Sequence, residues 1–70
     1  MKRYCIKSAL IAQYEAEIAS GLANIQVYID NPAGIGEHPD LVAAVDHQVS
    51  KVTDARDKLE VIRTYLNGEK

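Results

Sequence analysis

Between Glu15 and Ser50 this sequence has no lysine and no arginine, and in all 70 residues it has one cysteine. A lone Cys5 excludes an intramolecular disulfide and suits a reducing cytoplasm better than a secreted scaffold. No apolar run is long enough to cross a bilayer. The first residues, Met1 to Lys7, offer no uninterrupted hydrophobic stretch, because Lys7 and Ser8 break it and Gln13 and Glu15 follow. The expectation is a soluble, cytoplasmic protein. No HExxH, CxxC or clustered Cys/His arrangement is present, and His38 and His47, nine residues apart, are not spaced as a ligand pair on one helix. Neither a metal nor another cofactor is therefore expected. Glu37 beside His38 lacks a nucleophile, a cofactor loop and a partner group, so no catalytic residue is assigned and the chain is not read as an enzyme. A chain this short sits near the lower limit for a self-sufficient core, and without disulfides its extra stability has to come from elsewhere.

What helix-breaking chemistry there is falls in one place. Asn31-Pro32-Ala33-Gly34-Ile35-Gly36-Glu37-His38-Pro39-Asp40 holds both prolines and two of the four glycines, and it interrupts two long helix-periodic segments. The pattern predicts a single all-α domain over 1–70: helix 1 at about 5–29, a turn at 30–38 and helix 2 at about 39–66. Pro39 at the first turn of helix 2, with Asp40 beside it, is favourable start chemistry, His38 is a candidate N-cap, and Asn67-Gly68 is a stop signal.

In helix 2, Leu41, Val45, Val49, Val52, Ala55, Leu59, Ile62 and Leu66 recur at spacings of three or four, and polar residues fill the other side. Helix 1 carries two stripes. Ile11, Tyr14, Ile18, Leu22, Ile25 and Ile29 form one, and Cys5, Ala9, Ala12, Ala16, Ala19 and Ala23 form a second, offset by about a quarter turn. An antiparallel hairpin turning near Gly34 and Ile35 would oppose Ile29 to Leu41, Ile25 to Val45, Ile18 to Val52 and Ile11 to Leu59. One partner helix cannot cover both stripes, so the small-residue stripe is expected to meet another copy in a four-helix or larger homo-oligomeric bundle. Gly21 in mid-helix costs roughly 1 kcal/mol relative to Ala and reads as either a tolerated exposed glycine or a close helix crossing.

Charge is divided between the two ends of such a hairpin. Glu15, Glu17, Asp30, Glu37, Asp40 and Asp46 give the base-free stretch a net −6, whereas Lys2, Arg3 and Lys7, with Lys51, Arg56, Lys58, Arg63 and Lys70 against four acids, leave the terminal segments basic. Antiparallel packing of two hairpins would place each acidic turn beside its neighbour's basic tip, which makes an antiparallel dimer the expected building block. The overall −2 charge and the lack of a long basic stripe argue against duplex DNA.

The block from Asn31 to Val42, followed by Asp57-Lys58-Leu59-Glu60-Val61-Ile62, resembles a family of small proteins of tailed bacteriophages, T4-like and marine phages among them, with the turn pattern NPxGIGEHPD. The likeness covers roughly the second half of the chain. It implies a phage origin and a host-cell cytoplasmic setting, and carries over no catalytic residue.

Three groups of candidate residues follow. Arg3, Tyr4, Lys7, Tyr14, Arg56, Arg63 and Tyr65 would gather at the basic tip, where arginine and tyrosine can recognise a nucleotide by ion pairing and stacking, or simply form a solvated surface. Asn31, Gly34, Ile35, Gly36, Glu37 and His38 form the turn, which reads as a structural connection, a partner contact or a small anion nest poor in bases. Cys5 and the alanine stripe form the expected oligomer interface. The expected function is a non-enzymatic oligomeric binding protein, a phage accessory factor that antagonises a host pathway by sequestering a small anionic nucleotide signal or blocking a host protein. The alternative is an assembly adaptor in phage particles or replication complexes. Expected partners are other copies of the chain, the nucleotide or a host protein, and no membrane.

Overall fold

The computed structural model describes residues 5–31 and 40–66, which form two α-helices, α1 (Ile6–Asp30) and α2 (Leu41–Tyr65), packed side by side as an antiparallel hairpin. The all-α hairpin expected from the periodicity is the observed architecture. The centre of the proline and glycine block, 32–39, and the stop signal Asn67-Gly68 lie outside the described residues.

Each helix end has an identifiable cause. At the start of α1, Cys5 is extended (φ −142°, ψ 170°), and the Ser8 hydroxyl accepts from the Cys5 N–H at 3.2 Å. The last turn of α1 carries Asp30, an unfavourable charge at the negative end of the helix dipole. The Gln26 amide donates to both carboxylate oxygens of Asp30 at 3.0 Å, and the N–H of Asn31, the C-cap, donates to the Val27 carbonyl.

Helix α2 begins at Leu41, and its N-cap is Asp40, not the expected His38: the Asp40 Oδ1 accepts the Ala43 N–H at 2.9 Å. A carboxylate at the N-cap satisfies an orphan donor and also complements the dipole, an advantage a neutral imidazole lacks. At the other end, Arg63 stands in the last turn and the Leu66 N–H closes on the Ile62 carbonyl. Lys7 of α1 reaches across to donate to the Leu66 carbonyl at 3.1 Å, so one helix caps the other.

Packing is organised around Gly21, the one buried residue of α1. A Cβ built on Gly21 would stand 2.5 Å from Val52 Cγ2, so the glycine is a socket for the valine. Of the two readings of Gly21, the close crossing is the observed one. Val52 therefore seats on Gly21, three residues along α1 from the expected Ile18, and an Asn24 to Gln48 hydrogen bond of 3.2 Å lies beside it. On α2 the buried residues are Ala55, Leu59 and Ile62, all in the expected stripe.

Turning Gly21 toward α2 rolls α1 away from the expected orientation. Ile11, Tyr14, Ile18 and Ile25 stay half-buried in the interface, but Leu22 and Ile29, expected to face α2, are exposed. Val49 and Leu66 of the α2 stripe are exposed as well. At 100° per residue, Ala9, Ala12, Ala16, Ala19 and Ala23 lie about half a turn from the line through Tyr14, Gly21 and Ile25 that faces α2, more than the expected quarter turn, and all five are exposed.

Candidate functional site

The expected basic tip is divided over both sides of the hairpin. Arg63 lies 3.5 Å from the Glu15 carboxylate on the neighbouring helix, and Arg56, seven residues earlier, is on the same stripe with Asp57 at 4.0 Å. Tyr65 and Lys58, each two residues from one of these arginines, point about 200° away from them around the helix axis. Tyr65 is 76% exposed. Lys58 extends over the Tyr14 ring with its Nζ 5.7 Å from the centroid, a cation–π contact. Lys7 is half-buried and occupied by the Leu66 carbonyl. Arg3 and Tyr4 lie outside the described residues. One hairpin thus brings Lys7 and Tyr14 to the helix interface at the terminal end, and does not converge Arg56, Arg63 and Tyr65 on one ligand-sized site.

Two participants were not among the expected residues. Lys58 occupies the place beside Tyr14 that the expected register assigns to Arg56, and Glu15 pairs with Arg63. Both follow from the offset set at Gly21, a packing relation between distant residues. Sliding α2 to let Val52 enter the glycine socket brings Lys58 to Tyr14.

At the turn end, Asn31 caps α1, while Gly34, Ile35, Gly36, Glu37 and His38 lie outside the described residues. Beside it, Tyr28, Ile29, Leu41, Val42 and Val45 line an open groove of about 470 Å³. Its walls are aliphatic apart from one tyrosine, a surface suited to apolar side chains and poor in groups able to orient a polar ligand.

No family model, curated protein or solved structure matches this chain. Chemistry therefore has to be read from the residues themselves. His47 is exposed on α2, and among the described residues no three His, Cys, Asp or Glu side chains stand together as a metal-holding group. No helix among them is long and apolar enough to cross a membrane. Cys5, of the expected oligomer interface, is exposed, and its thiol titrates below the ordinary cysteine range because the Ser8 N–H and then the Ser8 hydroxyl stabilise the thiolate.

Proposed function

We propose that the chain is a non-enzymatic binding protein that works as a homo-oligomer, with its ligand site completed between copies. The observation that carries this reading is the imbalance between core and surface. Among the described residues three apolar side chains are buried, while Ile6, Leu22, Val27, Ile29, Val42, Val49, Val61, Tyr65 and Leu66 are exposed. A compact monomer of 7.7 kDa exposes about 4,300 Å². This hairpin exposes 5356 Å² and has a radius of gyration of 15.8 Å, against about 11 Å for a compact chain of its length.

Among binding roles, the leading one is a phage accessory factor that antagonises a host pathway by sequestering a small anionic nucleotide signal. It is supported by Lys58 over Tyr14, by exposed Arg56 and Arg63, and by the division of these groups over two sides, which requires neighbouring copies to form an enclosed site. Blocking a host protein, or an adaptor role in assembly, is the second reading. The aliphatic groove at the turn end favours it, being shaped for a protein side chain and not for a phosphate.

Native mass spectrometry of protein isolated from cells tests these together. The expected result is a dimer or larger species that retains a nucleotide-sized anion, released by Arg56→Glu with Arg63→Glu. A monomer without retained mass would refute the leading reading, and a stoichiometric protein partner in its place would select the second.

A further inference from the structure

The Glu15–Arg63 pair bridges the two helices on one side of the hairpin and so marks a face to which both contribute. Seven residues is nearly two full turns, so steps of seven stay on that face. From Glu15 the steps toward the turn are Leu22 and Ile29, and from Arg63 they are Arg56, Val49 and Val42. The face is charged at its terminal end and changes to aliphatic at its turn end, where Leu22 is 53% exposed, Ile29 61%, Val49 45% and Val42 81%. The groove lined by Tyr28, Ile29, Leu41, Val42 and Val45 runs into the same patch.

Taking the self-association proposed above as its basis, we propose that this patch takes the same patch of a second copy across a two-fold axis perpendicular to the long axis of the hairpin. A two-fold makes the contact isologous and closed, as a self-complementary patch requires. The antiparallel sense follows from charge. The turn end carries Asp30, Asp40 and Asp46 and no base, and the bases of this face, Arg56 and Arg63, stand on its terminal side. With the axis through the middle of the aliphatic patch, Ile29 and Val42 of each copy meet Leu22 and Val49 of the other, and each Arg56 comes alongside the acidic turn end of its neighbour. Among the described residues Arg56 makes a long 4.0 Å contact to the adjacent Asp57, and three quarters of its side chain is exposed, so a second carboxylate can reach it. Parallel packing would instead stack the acidic ends and place the arginines against each other. The area also fits: a face of a hairpin 50 Å long and 24 Å wide, covered over half to two thirds of its length, approaches the roughly 800 Å² per partner of a standard interface. The alanine stripe, on the far side of α1, stays open for other copies.

Sedimentation equilibrium on the full chain and three variants tests this. Wild type should associate at micromolar concentration, and Leu22→Glu with Val42→Glu should weaken that association about 100-fold or more, since both changes bury like charges in a contact used twice. Arg56→Glu should weaken it less and reduce its sensitivity to salt. Symmetric cross-linking gives an independent readout that survives if a variant fails to fold. In a Cys5→Ser background, Val45→Cys, level with the axis, should oxidise to a covalent dimer, and Val61→Cys on another side should not. Undiminished association of the Leu22→Glu, Val42→Glu variant, or cross-linking through Val61→Cys and not Val45→Cys, would overturn this face while leaving self-association standing. A monomeric wild type would overturn both.

Discussion

Replacing Gly21 by alanine sets two effects of known sign against each other. Alanine in a helix interior is favoured over glycine by about 1 kcal/mol. The new Cβ, however, would stand 2.5 Å from Val52 Cγ2, a separation that packed carbons do not adopt. Val52 cannot simply turn aside, since a β-branched side chain in a helix has one strongly preferred rotamer. Either it leaves that rotamer or the helices move apart around this contact, and overpacking of this kind costs about 1–3 kcal/mol. The net expectation is a loss of roughly 0–2 kcal/mol from Gly21→Ala. Removing the obstruction should reverse the sign. In a Val52→Ala background the nearest remaining atom is the Gln48 carbonyl oxygen at 3.6 Å, ordinary contact, so Gly21→Ala should then stabilise by about 1 kcal/mol. The cycle should give a coupling of about 1–3 kcal/mol. Urea unfolding followed by far-UV circular dichroism, with every variant at the same protomer concentration so that any association affects all alike, measures all four corners. If Gly21→Ala stabilises equally with Val52 and with Ala at that position, the socket does not exist and the register argued from it is wrong.

Three further outcomes are expected. Asp40→Ala should cost about 1 kcal/mol by leaving the Ala43 N–H without its carboxylate, and Asp40→Asn should recover most of that, both read from urea midpoints. Glu15→Gln and Arg63→Ala should each change stability by less than about 1 kcal/mol, with a difference that shrinks as salt is added, because both side chains are more than half exposed; a large, salt-insensitive loss would refute a solvated pair. Alkylation of Cys5 by iodoacetamide should be faster in the folded protein than in urea at pH values below the free thiol's range, since a lowered pKa raises the thiolate fraction there, and the advantage should vanish once pH rises above that range. Equal rate profiles in both states would show that Ser8 does not hold the thiolate.

Much of the architecture is legible in the residues because helix formation is local. A repeat of three and four over Leu41 to Leu66, a second over Ile11 to Ile29, and a single block rich in proline and glycine between them determine two helices and the place where they separate. The buried set of α2 follows from the same repeat, since a one-stripe helix has one way to face a partner.

The tertiary structure decided what depends on two distant residues meeting. Gly21 and Val52 are each ordinary in their own helix, and only their contact slides the register by three residues, rolls Leu22 and Ile29 onto the surface, brings Lys58 to Tyr14 and Glu15 to Arg63, and sets the alanines opposite the core. Periodicity names the stripe that is buried but is nearly indifferent to a shift of one turn, because apolar residues recur at every turn. Which turn meets which is settled by where a side chain finds a gap deep enough to fill, and in this hairpin the gap is the side chain that Gly21 does not have.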